Sequence, residues 1–266
     1  MQTLHPARPY NLLGSLSSLL FCAVVLSASL ASAQTTLHLY RGGEDDVGKV
    51  AGDVHAGALV DAAGNTNLVS ALGNYTHFTP GPASTLAYGF PQTGAYATGQ
   101  TNLTLTTTSS FAMELWFNAS STANQALFHN GSIGIYISNS QVAIHRAGLF
   151  MNHIGAFQQG VWTHAAFAYD NGTLRGFLNG TQVNIGTGQT FVNPITGSGL
   201  RLAIAPTGVD DFRGDIDHAR IFSFTTGTFN ASMLSYPASA IPEPATFTAL
   251  AGLAALGLAT TRRRRA

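Results

Sequence analysis

Acidic side chains cluster at two places in the chain, and their carboxylates are candidate ligands for a metal ion. Glu44, Asp45 and Asp46 are consecutive, whereas Asp215 and Asp217 lie about 170 positions later. Clustered carboxylates together with backbone carbonyls form the oxygen-rich environment that Ca²⁺ requires, and extracellular modules bind this ion weakly. These five acids are therefore candidate calcium ligands. The alternative interpretation is that they are solvated surface acids.

Residue sets that would support catalysis are harder to find. Between residues 34 and 241 the only glutamates are Glu44 and Glu114, whereas a retaining glycosidase needs two carboxyl groups about 5 Å apart. The sequence has no G-x-S-x-G elbow, and its single cysteine is Cys22. The eight histidines of this region form no H-x-x-x-H or H-E-x-x-H pair, so we interpret them as ordinary strand and loop residues. We predict a protein that is not an enzyme.

The composition excludes several classes of protein. Charged residues make up 9% of the 266 residues, against roughly 25% in an average soluble domain. Residues 34–241 contain 7 basic and 11 acidic side chains, a net charge of −4. A hydrophobic content of 45% argues against disorder, and the mildly acidic body argues against a nucleic-acid partner. The length from 34 to 236 is sufficient for one sizeable packed domain.

The N-terminus has the pattern of a secretory signal peptide. A weakly basic start containing Arg8 precedes an apolar stretch that ends in Ala31-Ser32-Ala33. This pattern predicts a helical signal segment over 1–33 and cleavage between Ala33 and Gln34. Cys22 leaves with that segment, so the mature protein would contain no disulfide. An uncleaved membrane anchor is the less favoured alternative.

The body between the two ends is predicted to be all-β. Short runs of alternating apolar residues recur, bounded by Gly, Asn, Ser and Thr. In 111–117 the odd positions are Phe, Met, Leu and Phe, which would lie on one face of a strand. Hairpin turns are predicted at 138–140, 170–172 and 179–180, because Asn-Gly and related pairs tolerate the positive φ of tight turns. Many short strands with closely spaced turns indicate a sandwich or barrel.

Five segments resemble the laminin G-like, concanavalin A-like family. They are the core strand FAMELWF (111–117), the "W-x-H-V-A" strand (161–166), the "L-x-L-Y-V-D-G-x-x-V" hairpin (174–183), the closing "F-x-G-x-I-D-E-V-R-I-Y" strand (212–222) and the early "D-x-x-G-N" turn (61–65). The order and spacing agree over most of 55–225. The resemblance implies a two-sheet antiparallel jelly-roll sandwich. The sequence lacks the E-x-D-x-x-E triplet of the glucanases that share this fold.

Three side-chain predictions follow from that fold. Trp162 would be a buried anchor between the sheets. Arg220 would pair with Asp215 or Asp217, because buried charges need partners. The first and last strands of a jelly roll commonly lie close together, which would unite the two acidic clusters in one calcium site. The family usually has Glu at the position of His218, and this difference weakens the calcium hypothesis.

The C-terminus resembles the PEP-CTERM sorting tail of Gram-negative bacteria over 240–265. The motif Pro242-Glu243-Pro244 precedes an uncharged stretch, 245–261, that we predict to be a transmembrane helix. The chain then has an arginine cluster, which the positive-inside rule keeps cytoplasmic: Arg262, Arg263, Arg264 and Arg265. The resemblance implies transient anchoring in the inner membrane, processing by an exosortase, and release to the cell surface or extracellular matrix.

Three functions are compatible with these observations. The first is a surface-tethered module that binds extracellular polysaccharide or a surface protein, since the fold is mostly used for binding. The second is a structural or adhesive protein associated with exopolysaccharide, without a discrete ligand site. The third is a polysaccharide lyase or hydrolase. Apart from Ca²⁺, no cofactor is predicted.

Overall fold

The computed structural model describes residues 34–55, 57–70, 76–91, 94–99, 109–146, 151–189, 199–205 and 210–236. The predicted signal segment, 1–33, and the sorting tail with its predicted transmembrane helix, 245–261, lie outside these residues. No helix in the described ranges is long and apolar enough to cross a membrane.

The described residues form β-strands and one short 3₁₀ helix, η1 (Ala231–Met233). In chain order the strands are β1 (Gln34–Tyr40), β2 (Val54–His55), β3 (Ala58–Leu59), β4 (Leu68–Ser70), β5 (Thr76–Thr79), β6 (Ala87–Phe90), β7 (Ala97–Thr98), β8 (Ser110–Ala119), β9 (Gln125–His129), β10 (Ile133–Ser138), β11 (Gln141–Arg146), β12 (Asn152–Ala156), β13 (Thr163–Asp170), β14 (Thr173–Leu178), β15 (Thr181–Gly186), β16 (Arg201–Leu202) and β17 (Gly214–Phe224). The all-β prediction is confirmed.

The strands form two antiparallel sheets that pack as a sandwich. The first sheet has the order β15-β14-β13-β8-β17-β6-β5-β2, and β1 pairs with β17. The second sheet has the order β12-β11-β10-β9-β16-β7-β4-β3. The first and last strands are therefore direct neighbours, as the jelly-roll prediction required.

The core lies between the sheets and follows the alternation in the sequence. Phe111, Met113, Leu115 and Phe117 on β8 are fully buried in it, as predicted. They pack with residues that project from the second sheet, among them Phe128, Ile135 and Ile144. Because successive side chains of a strand point to opposite faces, the intervening residues Ala112, Glu114 and Trp116 lie on the outer face of the first sheet.

Tight turns fix the pairing of the central hairpins. Asn139 and Ser140 join β10 to β11 with φ values of 51° and 61°. Asn171-Gly172 and Asn179-Gly180 join β13 to β14 and β14 to β15, again with positive φ at both positions. All three predicted turns are confirmed. They match the right-handed twist of the strands that they connect.

Candidate functional site

A row of aligned residues crosses the outer face of the second sheet. The backbone registers place Thr98 opposite Arg201, Arg201 opposite His129, His129 opposite Gly134, and Gly134 opposite His145. These five positions belong to five neighbouring strands. We call them the sheet-two row. The row concentrates ionisable and aromatic side chains on one sheet surface.

Tyr136 lies beside this row and packs between its two histidines. Its ring centroid is 5.5 Å from that of His129 and 5.1 Å from that of His145. Ala126 and Ala205 are the small buried neighbours of Tyr136, and the half-buried Met151 packs against the same cluster. Tyr136 is 5% exposed, and its hydroxyl has no hydrogen-bond partner among the described residues. Burial raises the pKa of this hydroxyl well above its usual value, so it is a neutral donor at any physiological pH.

His129 is held rigidly and is fully buried. Its Nε2 donates to the carbonyl of Ile204, while its Nδ1 accepts from the amide of Gly131 at 2.9 Å. Both ring nitrogens of the neutral tautomer are thereby used. Burial, with a smaller effect from the positive charge of Arg201, lowers the pKa of His129 to about 4. His129 is a neutral wall of the site rather than a ligand contact.

His145 and Gly134 complete the surface. His145 is half-buried, and its Nδ1 has no partner among the described residues. Burial lowers the pKa of His145 below its ordinary value, so its imidazole is neutral at pH 7. A Cβ atom on Gly134 would lie only 2.1 Å from the Cβ of His129. Glycine at this position therefore makes room for the close approach of His129.

The chemistry of this surface is that of a hydrogen-bonding site. The Tyr136 hydroxyl is a donor and acceptor, the His145 Nδ1 is a second polar atom, and the Arg201 guanidinium lies on the same row. The aromatic faces beside them supply apolar contact area. A few convergent polar groups beside aromatic rings are typical of small-ligand sites.

A second polar cluster lies on the opposite, outer face of the first sheet, around Glu114. Glu114 is completely buried, and its carboxylate makes four polar contacts. His164 Nε2 lies at 3.0 Å, Arg220 Nε at 2.6 Å, the Ser235 amide at 2.8 Å and the Ser235 hydroxyl at 3.0 Å. The hydroxyl of Ser235 also lies 2.8 Å from Nε2 of His218. We call these five residues the Glu114 hub.

The electrostatics of the hub are those of a structural ion pair. Burial by itself would raise the pKa of Glu114, but the hydrogen bond from His164 and the charge of Arg220 lower it to about 2. Although Ser235 and His218 are in contact, the carboxylate bonds to the serine rather than to the other nitrogen of that histidine. A nucleophilic triad needs the acid on the far side of the base. This geometry is not a triad.

The hub also corrects two sequence predictions. Arg220 pairs with Glu114 on the neighbouring strand and not with Asp215 or Asp217. The reason is a bulge at His218, whose φ is 49°, which shifts the register so that Arg220 lies opposite Glu114. Trp162 is only half-buried, and it precedes β13 instead of lying in the core between the sheets. The prediction of an inter-sheet anchor was wrong.

The proposed calcium ligands are distributed among separate contacts. Glu44 accepts from the Leu86 amide at 2.7 Å, and Asp45 forms an ion pair with Arg41. Asp46 accepts from the Val60 amide at 3.0 Å. Asp217 is fully buried and accepts from the Ser84 hydroxyl at 2.6 Å.

Glu44 and Asp217 thus contact the same loop, 81–86, whereas Asp215 lies on β17 opposite Gly89. In the described ranges, no group of three or more His, Cys, Asp or Glu side chains is arranged to hold a metal. The carboxylates of Glu44, Asp45, Asp46 and Asp217 accept from protein donors instead. Calcium binding therefore stays a prediction.

Two family models match the chain. The model of the concanavalin A-like lectin/glucanases superfamily matches residues 91–226, and the PEP-CTERM protein-sorting motif matches 240–265. Together they define an exported protein that an exosortase sorts to the cell surface of a Gram-negative bacterium and that contains a concanavalin A-like sandwich domain. The chain belongs to the concanavalin A-like lectin/glucanases superfamily. No curated protein sequence matches it significantly.

Solved structures share the fold at low sequence identity. Domain 4 of AbnA, a GH43 extracellular arabinanase from Geobacillus stearothermophilus solved with arabinotriose, has a TM-score of 0.55 and 17% identity. That match covers 72% of this chain and 95% of the domain. The Trypanosoma rangeli sialidase has a TM-score of 0.51 and 13% identity, with 74% of this chain covered but only 31% of the sialidase. These likenesses establish the sandwich fold alone.

Proposed function

We propose that the domain is a non-catalytic glycan-binding module, and that it binds its ligand on the outer face of the second sheet, at Tyr136 and His145. The protein would attach extracellular polysaccharide to the surface to which it is sorted. The observation that supports this proposal best is the Tyr136 hydroxyl, which is buried without a partner among the described residues.

A buried hydroxyl without a partner is energetically unfavourable. Leaving such a group unsatisfied costs about 1–3 kcal/mol. Phenylalanine would provide the same ring contacts with His129 and His145 without that cost. A tyrosine at this position is therefore best explained by a partner that is present only in the bound state. Sugar hydroxyls suit this role, because each one donates and accepts a hydrogen bond.

Met151 provides a route by which a ligand can reach this hydroxyl. It is half-buried, precedes β12, and packs against Tyr136 and its alanine neighbours. Methionine side chains are unbranched and adaptable, so they repack at little cost. We propose that a bound sugar displaces the Met151 side chain and places one hydroxyl between the Tyr136 oxygen and the His145 Nδ1.

The choice of test ligands follows from the related structure. The arabinanase domain was solved with arabinotriose, so arabino-oligosaccharides belong in the first panel of glycans. The host's own extracellular polysaccharide is the second choice, because the sorting tail sends the protein to the surface where such material accumulates. Neutral and acidic glycans should both be included.

The test is binding of these glycans to the purified protein and to two single-atom variants. Tyr136→Phe removes the proposed ligand contact, and Tyr40→Phe removes a hydroxyl that donates to the Thr66 carbonyl at 2.7 Å, in a different part of the fold. We expect Tyr136→Phe to weaken binding about fivefold to tenfold, equivalent to about 1 kcal/mol. Tyr40→Phe should bind normally. Equal affinities in all three proteins would exclude Tyr136 as a ligand contact.

A further inference from the structure

The charged residues of the body are unevenly distributed between the two sheets. The strands of the first sheet contain two basic and four acidic residues, a net charge of −2. The acids are Glu114, Asp170, Asp215 and Asp217. The eight strands that the structure describes in the second sheet contain two basic residues, Arg146 and Arg201, and no Asp or Glu, a net charge of +2. In a body with a net charge of −4, the strands that form the proposed ligand face are thus positive.

This charge distribution holds for the whole body. The parts of 34–236 outside the described ranges contain no Asp, Glu, Lys or Arg, so they add no charge to either sheet. The remaining acidic residues lie in connections between strands. They are Glu44, Asp45, Asp46, Asp53, Asp61, Asp210 and Asp211.

Arg201 brings a positive charge to the surface around Tyr136. It lies opposite His129 in the sheet-two row, and its Nη1 donates to the Ala205 carbonyl at 3.3 Å. Ala205 belongs to the buried cluster that contains Tyr136, so the guanidinium lies beside that cluster. Burial is the larger influence on the pKa of both His129 and Tyr136, and the charge of Arg201 acts on each pKa in the direction that lowers it. The charge of Arg201 therefore reaches the site at which a ligand would contact Tyr136.

The neighbouring strands on the other side of Tyr136 contribute histidines. His145 lies on β11, and His153 on β12 is opposite Ala143, two residues before His145 on the same face. His145 is half-buried and His153 is exposed. An imidazole is either neutral or positively charged, so neither side chain repels an anion.

Asp210 is the carboxylate that acts on this surface. It follows β16, its carbonyl accepts from the Ala126 amide at 2.9 Å, and its charge raises the pKa of Tyr136, opposing Arg201. The side chain of Asp210 is exposed, whereas Arg201 is half-buried. Because exposed charges are screened more strongly by water and salt, we expect Arg201 to dominate at the ligand contact.

We propose that the ligand of this surface is an acidic polysaccharide, and that Arg201 binds the carboxylate of a uronic acid in it. Tyr136 and His145 would bind hydroxyl groups of the same chain. The inference rests on the proposed function and names the class of ligand.

A carboxylate suits the geometry of this arginine. The guanidinium presents N–H groups in a planar fork that matches the two oxygens of a carboxylate. It has five such donors, so it can bind a carboxylate and keep its bond to the Ala205 carbonyl. A neutral sugar would leave this charge without a matching group.

The test compares each acidic polysaccharide with its own neutral form. Polygalacturonate, alginate and the host's extracellular polysaccharide are measured beside their carboxyl-reduced counterparts, which keep the linkages but lack the charge. Dextran sulfate and dextran show whether any polyanion is sufficient. Binding to the purified protein is measured by calorimetry at low and at high NaCl. We expect at least one acidic form to bind about tenfold more tightly than its neutral form, with a preference that decreases as the salt concentration rises.

Charge variants identify the residue that is responsible. Arg201→Gln removes the proposed contact, and Arg175→Gln removes the same charge from β14 of the first sheet as a matched control. We expect Arg201→Gln to weaken binding of the acidic form about tenfold, as for the loss of a charged hydrogen bond, without changing binding of the neutral form. Arg201→Lys should restore part of the affinity. Asp210→Asn should strengthen binding of the acidic form, because it removes the opposing charge.

The outcomes separate this proposal from the proposed function. Neutral forms that bind as tightly as the acidic ones, or acidic forms whose binding Arg201→Gln leaves unchanged, would overturn the acidic ligand but keep the glycan site at Tyr136. Binding of dextran sulfate that depends on Arg201 and is insensitive to Tyr136→Phe would indicate general attraction of polyanions, and would also overturn it. If no glycan bound in either form, the proposed function would fail and this inference with it. An unchanged Tm of Arg201→Gln would confirm that its loss of affinity is not a loss of folding.

Discussion

Replacing Tyr136 by phenylalanine should stabilise the protein while weakening ligand binding. Most single substitutions destabilise, so a gain in stability is a specific expectation. It follows from the hydroxyl of Tyr136, which is removed from solvent and has no partner among the described residues. The ring, which packs between His129 and His145, is unchanged in the variant.

The magnitude can be estimated from the cost of burying an unsatisfied polar group, about 1–3 kcal/mol. Because part of that cost is relieved by small movements of the neighbouring groups, we expect a gain of about 1 kcal/mol in the free energy of unfolding. For a domain of about 200 residues this corresponds to a rise in Tm of roughly 2–4 °C. Affinity for the glycan should fall in the same variant.

Tyr40→Phe is the matched comparison, because it removes the same atom from a buried tyrosine whose hydroxyl is bonded to Thr66. It should lower the free energy of unfolding by about 1 kcal/mol. Thermal melting and urea unfolding of the wild type and both variants would give the two shifts. If Tyr136→Phe lowered the Tm as much as Tyr40→Phe does, its hydroxyl would have a structural partner, and the argument for a ligand contact would fail.

Three further predictions concern pH, packing and metal. Folding lowers the pKa of His129 to about 4 and that of Glu114 to about 2. At a pH above the pKa of the unfolded chain, each group therefore contributes to stability, and this contribution is lost as the pH falls to the pKa of the folded state. The free energy of unfolding should therefore drop between pH 6.5 and 4, mainly through His129, and again from 4.5 toward 2 through Glu114, by on the order of 3 kcal/mol each. Urea unfolding across this range measures both steps. Burial also lowers the pKa of His145 and His218, so a smaller upper step should remain in a His129→Gln variant, and an upper step as large as that of the wild type would contradict the assignment. Gly134→Ala should cost about 1–3 kcal/mol, because its Cβ would clash with His129; an unchanged urea midpoint would show that His129 yields freely. If Ca²⁺ binds the early and late acids, the Tm should be higher in millimolar Ca²⁺ than in EDTA. The stabilisation free energy would be about 2.7 kcal/mol at a hundredfold excess of Ca²⁺ over Kd. An unchanged Tm would show that these acids are ordinary carboxylates without a bound ion.

The sequence by itself determined the class of fold, because the features that carry it are local. Alternation along 111–117 identified the core face of β8, since side chains on a strand alternate with a period of two. The three predicted turns needed only residues that tolerate positive φ, and Asn179-Gly180 is one of them. The sorting tail could also be identified from the sequence, because its motif, apolar stretch and arginine cluster are contiguous.

The tertiary structure alone decided which polar residues meet. Glu114 and Arg220 are 106 positions apart, and the bulge at His218 sets the register that pairs them. Alternation could place Tyr136 and His145 on the outer face, but only the pairing of three strands brings them together with His129. Trp162 shows the converse, since its resemblance to a core strand did not reveal that the strand begins one residue later. The hydrophobic pattern is a property of a single strand, so the sequence reveals it directly. The polar sites lie between strands that are distant in sequence, and their register depends on the packing of the whole sandwich.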